Sequence, residues 1–128
     1  MKKQKVIALV AHDNRKKDMI EWATWNWKEL IPHKLICTGT TGKLVEEATG
    51  LPVHKYLAGH LGGEHQLGAQ IAHNEIDLVI FLRDPLSQKH YEPDINSALR
   101  LCDVHNIPLA SNLATAEALL QVLDRGEC

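Results

Sequence analysis

Three polar, glycine-bearing segments carry residue types that could hold a small anion: Thr38-Gly39-Thr40-Thr41-Gly42, Gly59-His60-Leu61-Gly62-Gly63-Glu64, and the stretch from Asp84-Pro85 to Pro93-Asp94. Each follows an apolar run short enough to be a buried strand. In the first, two glycines permit close backbone approach and positive φ, and three hydroxyls stand where a helix is about to begin, which suits phosphate. The competing reading is that Thr40 or Thr41 merely caps that helix, with Glu46 or Glu47 supporting its first turn. The segment is neither a Walker loop nor a G-x-G-x-x-G fingerprint, so nucleotide binding has no motif behind it. Glu64, at the start of the next helix, is a candidate general base or simply a favourable first-turn acid. His12-Asp13 ends the first apolar run, and Lys16 one turn on could reach an anion there; His12 could equally be a satisfied surface residue. Of Asp84 and Asp94, one is expected to cap a helix or fix a loop, leaving the other for chemistry.

These segments need a scaffold that brings them together, and the chain reads as β-α repeated five times. The run Val6 to Ala11 is continuously apolar and stops at a polar pair, as a strand buried on both faces does. The spacing of Ile20, Ala23, Trp27 and Leu30 predicts a helix over 13–30, ended by Pro32. Further strands are predicted over 34–38, 53–57, 77–82 and 107–110, and further helices over 41–48, 64–73, 93–105 and 114–123. Strands alternating with helices of about ten residues imply an α/β three-layer sandwich on a five-stranded parallel sheet, where loops at one sheet edge converge. Trp22, Trp25 and Trp27 all fall in the first predicted helix, with Trp27 on its buried stripe and the other two elsewhere, as a subunit contact would have them.

The composition fits one domain spanning residues 1–128: 45% hydrophobic and 23% charged is an ordinary globular balance. A formal net charge of −2 and a pI near 6.4 give no global reason to bind nucleic acid or an anionic membrane. No run approaches the roughly eighteen apolar residues of a membrane span. Cys37, Cys102 and Cys128 are odd in number and widely spaced, which suggests neither a disulfide framework nor a zinc knuckle and makes the cytoplasm the expected location. The eight histidines show no H-x-H or H-E-x-x-H spacing, so no metal site is expected.

Taken jointly, Ala8-Leu9-Val10-Ala11-His12-Asp13, Thr38-Gly39-Thr40-Thr41-Gly42, Gly62-Gly63 followed by an acid, Arg83-Asp84-Pro85-Leu86 and Glu92-Pro93-Asp94 resemble the methylglyoxal synthase family, collinearly from about Val6 to Leu123. The resemblance implies a cytoplasmic homohexamer of flavodoxin-like subunits. Without metal or organic cofactor, it would convert dihydroxyacetone phosphate to methylglyoxal and inorganic phosphate, and phosphate would inhibit it. Position by position, it places His12, Lys16 and Thr38, Gly39, Thr40 and Thr41 on the substrate and its phosphate, with Gly59 offering its backbone N–H. Asp13, Asp84 and Asp94 fall on acidic positions that orient the catalytic groups. The chain departs from the family pattern where the chemistry happens. The catalytic aspartate after Gly-Gly is Glu64, the serine before the loop glycine is Ala58, and the histidine before Glu92-Pro93-Asp94 is Tyr91, with His90 one residue early. Many relatives extend past the last helix and lend a basic residue to a neighbouring site, for which Arg125 is the nearest candidate. Two further readings fit the same residues: a regulatory module that binds phosphate or a phosphosugar without turnover, and an enzyme for a different phosphorylated sugar.

Overall fold

The computed structural model describes residues 4–56, 63–86 and 95–124. Its frame is a five-stranded sheet of β1 (Val6–Ala11), β2 (Lys34–Thr38), β3 (Val53–Tyr56), β4 (Leu78–Leu82) and β5 (Leu109–Ala110), in the order β3-β2-β1-β4-β5. Every pairing is parallel, with Ile7 opposite both Leu35 and Leu78, and Ala11 opposite Leu82. The helices are α1 (Lys16–Trp25), α2 (Trp27–Leu30), α3 (Gly39–Thr49), α4 (Gly63–Ala72), α5 (Ile95–His105) and α6 (Leu113–Asp124). A 3-10 turn, Asp13–Arg15, leads into α1.

Uninterrupted apolar runs become strands because both sheet faces are covered. Ile7, Leu9 and Ala11 of β1 and Leu78, Ile80 and Leu82 of β4 join one core with Met19, Trp22, Val45 and Leu120. Ala8, Val10, Val79 and Phe81 point the other way, into a second core with Leu67, Ile71, Ala98 and Cys102. So α1, α3 and α6 form one outer layer, and α4 and α5 the other. The chain steps outward from β1 to β3, then crosses to β4 on the far side of β1; with crossovers of one hand, that reversal moves the connecting helices to the opposite face. The reversal also makes the carboxyl ends of β1 and β4 the switch point, where ligands of open α/β sheets bind.

The α/β three-layer sandwich stands as read from the sequence, with differences at element ends. The single helix predicted over 13–30 is broken at Asn26, whose side chain turns back to the Trp22 carbonyl at 3.1 Å and reaches Glu117 of α6 at 3.0 Å. The buried stripe is Met19, Trp22, Ala23, Asn26 and Leu30, one helical face that runs on through the break and is offset from the predicted one, so Trp27 falls at its margin, 42% exposed, and Trp25 is 85% exposed. Trp22, expected off the stripe, is buried because the acceptor for its indole N–H is the Glu117 carboxylate at 3.1 Å. Only Leu109 and Ala110 of the stretch expected over 107–110 pair with β4. Asp77 precedes β4 instead of joining it, and exchanges two bonds with Val6: its N–H donates to the Val6 carbonyl and its carboxylate accepts the Val6 N–H, both at 2.8 Å.

Candidate functional site

Because all five strands run the same way, the residues that leave β1, β2 and β4 emerge at one edge of the sheet. His12 follows β1 directly and is buried, its ring edge-on to Phe81 with centroids 5.5 Å apart. Its main-chain N–H donates to the Leu82 carbonyl at 3.1 Å, and its Nδ1 accepts the main-chain N–H of Asp84 at 2.9 Å. Since Nδ1 is an acceptor, the neutral ring carries its proton on Nε2. His12 is therefore not a satisfied surface residue but a buried one with a set tautomer.

Asp84 is the loop-fixing acid. Its Oδ1 accepts the Leu86 N–H at 3.0 Å, closing an Asx turn, and its Oδ2 accepts from Asn14 Nδ2 at 2.8 Å. These two donors, the Asn14 amide first, hold its carboxyl below the ordinary carboxylate range. Lys16 Nζ lies 2.8 Å from Asp13 Oδ1 across one turn, an ion pair that uses one of three ammonium donors.

The segment Thr38 to Gly42 is not a loop but the start of α3. Thr38 is the N-cap in extended conformation, and its hydroxyl makes no capping bond, so neither Thr40 nor Thr41 has that role. Gly50 is the one glycine with positive φ among the described residues, so the freedom expected of Gly39 and Gly42 is not used. A Cβ on Gly42 would stand 2.9 Å from Lys55 Cγ and 3.1 Å from Cys37 Cβ; that glycine lets α3 sit close on β2 and β3. Glu46 is likewise no first-turn support. It reaches forward to the Val53 N–H at 3.3 Å and to Lys55 Nζ at 3.0 Å, which lowers its pKa. Thr41 is wholly buried and its Oγ1 has no hydrogen-bond partner among the described residues. An uncapped first turn and an unpartnered buried hydroxyl beneath it present the donors by which helix starts hold anions.

The structure thus brings His12, Asp13, Lys16 and Asp84 together across the exits of β1 and β4, and puts Thr38, Thr40 and Thr41 at the exit of the adjacent β2. Glu64 lies in the first turn of α4, and its side chain is outside the described part. Ala58, Gly59, His90, Tyr91, Asp94, Arg125 and Cys128 also lie outside the described residues. Sequence reasoning missed Asn14: an asparagine after His-Asp carries no spacing signal, and its partner is 70 positions away. It also missed a cleft of roughly 410 Å³ at the same sheet edge, lined by Arg15, Asp18, Arg83, Pro85 and the start of α6. Among the described residues no three or more His, Cys, Asp or Glu are grouped to hold a metal ion, and no helix is long and apolar enough to cross a membrane.

An open parallel α/β sheet that reverses its strand order in this way defines the class of doubly wound domains, whose ligands bind at the carboxyl edge of the sheet, where the start of α3 and the buried His12 lie. Within that class this chain belongs to the MGS-like domain family, whose model matches residues 18–111. It is 59% identical over 121 residues to the methylglyoxal synthase of Caldicellulosiruptor saccharolyticus, covering 94% of this chain and 86% of that protein. Against the methylglyoxal synthase of Geobacillus thermodenitrificans it is 52% identical over 94% of this chain and 84% of the other. The crystal structure of methylglyoxal synthase from Elizabethkingia anophelis superposes with a TM-score of 0.91 at 43% identity, over 97% of this chain and 83% of that one.

Proposed function

We propose that this chain is a methylglyoxal synthase: a lyase that takes dihydroxyacetone phosphate to methylglyoxal and inorganic phosphate. The observation that carries the reading is the uncapped start of α3, with the Thr41 hydroxyl unpartnered beneath it, at the same sheet edge as a His12 whose Nε2 bears the ring proton. Thr38, Gly39, Thr40 and Thr41 grip the phosphate with main-chain N–H groups and hydroxyls, and Lys16 and the Gly59 N–H add to that grip. His12 donates to the substrate oxygen. Ala58 stands where the family pattern has a serine, and the missing hydroxyl is a loss of about 1 kcal/mol.

Glu64 removes a proton from the hydroxymethyl carbon next to the ketone. The electron pair delocalises onto the carbonyl oxygen, giving an enediolate stabilised by His12 and by Tyr91 or His90. His12 gives its Nε2 proton to that oxygen and takes back the proton of the adjacent hydroxyl. When the C–O bond to phosphate stands perpendicular to the enediolate plane, the freed oxygen's pair forms the aldehyde C=O, the C=C pair shifts to the phosphate-bearing carbon and its C–O bond breaks. This leaves phosphate and the enol of methylglyoxal, which tautomerises to the product. The phosphate grip therefore chooses the outcome: held in that plane, the same enediolate would isomerise. Asp13, Asp84 and Asp94 orient these groups. The protein works as a single domain, a cytoplasmic homohexamer that uses no metal or organic cofactor.

The test is release of phosphate and methylglyoxal from dihydroxyacetone phosphate by the pure protein. Turnover well above that of a Glu64→Gln variant is expected. Turnover no greater than that variant's would overturn the reading and, together with phosphate binding by calorimetry, would favour a binding module in which Glu64 and Tyr91 have lost the reaction. A panel of phosphorylated ketoses and aldoses separates a change of substrate from a loss of activity.

A further inference from the structure

Asn14 is exposed, and yet it links the exits of two neighbouring strands. It sits in the 3-10 turn Asp13–Arg15 directly after β1, and its amide donates to Asp84 Oδ2, directly after β4, at 2.8 Å. Asp84 in turn gives its main-chain N–H to His12 Nδ1 at 2.9 Å, and His12 gives its own N–H to the Leu82 carbonyl at 3.1 Å. The bonds close a ring: from His12 along the chain to Asn14, across to the Asp84 carboxylate, and back from the Asp84 N–H to the His12 ring. Among the described residues, the side chain that hydrogen-bonds the Asp84 carboxylate to the β1 exit is Asn14; the other oxygen accepts from Leu86 of its own loop.

We propose that Asn14 is a positioning residue, which through the Asp84 carboxylate holds the 84–86 turn in the orientation that presents the His12 ring to substrate. The proposal rests on the methylglyoxal synthase reading for its catalytic consequence, but its structural content is a statement about Asp84 and His12 alone. An amide suits the place because it offers a neutral, short donor beside a carboxylate. An aspartate of the same shape would set two anions at hydrogen-bond distance, and one of them would have to take up a proton. Among the described residues the Arg15 guanidinium and the titratable His12 ring also bear on Asp84, and the guanidinium, like the Asn14 amide, favours its ionised form. Removing Asn14 therefore raises the Asp84 pKa toward its ordinary value without reversing the remaining attractions.

The experiment compares the full-length protein with Asn14→Ala and Asn14→Asp. Carbon-detected NMR of the Asp84 carboxyl should give a midpoint that rises in Asn14→Ala and rises further in Asn14→Asp. The nitrogen shifts of the His12 ring should move away from the pure Nε2–H pattern in both variants. For turnover of dihydroxyacetone phosphate near neutral pH, kcat should fall about tenfold in Asn14→Ala, the size of one lost charge-assisted bond. KM should stay within about twofold, because the phosphate grip lies on α3. In Asn14→Asp the deficit relative to wild type should narrow as pH falls, since a protonated carboxyl regains a donor, a pH dependence that a merely structural role would not produce. Melting temperatures near neutral pH should fall modestly in both variants, since the folded state loses the bond that Asn14 gives the Asp84 carboxylate. An Asp84 midpoint and His12 ring shifts unchanged in both variants would overturn the proposal, as would a kcat unchanged in both. If the wild-type protein shows no turnover at all, the functional reading fails, while the Asp84 and His12 measurements still decide the role of Asn14.

Discussion

The main-chain N–H of Asp84 donates to Nδ1 of His12 at 2.9 Å, and that one bond decides which ring nitrogen can serve a substrate. Replacing His12 by alanine should therefore lower kcat/KM by about a hundredfold or more, the usual cost of a lost donor to a developing oxyanion. His12→Gln, whose amide can place a donor near the former Nε2, should recover part of the loss, and His12→Asn, which reaches only the Asp84 N–H, should not. Steady-state methylglyoxal formation by the three variants checks this; equal activity in Asn and Gln variants would mean that no donor is needed from Nε2.

Glu64 carries one more methylene than the aspartate its family pattern places there. A reacting atom displaced by about 1 Å can cost roughly a hundredfold, so Glu64→Asp should raise kcat, by up to about tenfold if the pocket is otherwise that of its relatives. A lower kcat would show that the surrounding chain has adapted to the longer acid.

Gly42 is needed where α3 approaches Lys55 and Cys37, so Gly42→Ala should destabilise the fold by about 1–3 kcal/mol in denaturant unfolding. Well below the melting temperature its affinity for inorganic phosphate should stay close to wild type. A stable variant with weakened phosphate binding would instead assign Gly42 to the ligand.

Glu46 and Asp84 both have pKa values held below the ordinary carboxylate range by hydrogen-bond donors, Lys55 first for one and Asn14 first for the other. A carboxylate depressed in the folded state stabilises it fully above the unfolded value, near 4, and loses that contribution as pH falls through the folded value. Glu46→Gln should therefore melt below wild type near pH 7 and converge with it toward about pH 2. Parallel melting curves across the acid range would show that the Glu46 to Lys55 pair adds nothing.

Cys37 is buried and its thiol is pushed up to about 12, and burial pushes Cys102 up to about 11. Neither holds appreciable thiolate near neutral pH, so both should resist alkylation in the folded protein and react on unfolding. Peptide mapping after brief alkylation reads this directly; fast labelling of Cys37 in native protein would mean that β2 opens locally.

Element order was legible before any coordinates, because strands covered on both faces must be apolar throughout and helices covered on one face must be periodic. Val6–Ala11 and Leu78–Leu82 needed no context to be recognised. The helix break at Asn26 was not legible, since it is held by Glu117, some ninety positions on. The tryptophan pattern misled for a like reason: the buried side of the helix is set by what packs on it, and the Glu117 carboxylate takes the indole N–H of Trp22 at 3.1 Å.

Residue types and their order along the chain determined by themselves which side chains were chemical candidates, the parallel α/β frame and the family pattern, all of which are carried by local composition and spacing. Only the packed structure decided that Asp84 fixes a loop and the His12 tautomer, that Thr41 is an orphaned buried hydroxyl, and that Gly42 serves helix packing. Those properties belong to pairs of groups from distant parts of the chain, and the distances and solvent exclusion that define them do not exist until the sheet has assembled.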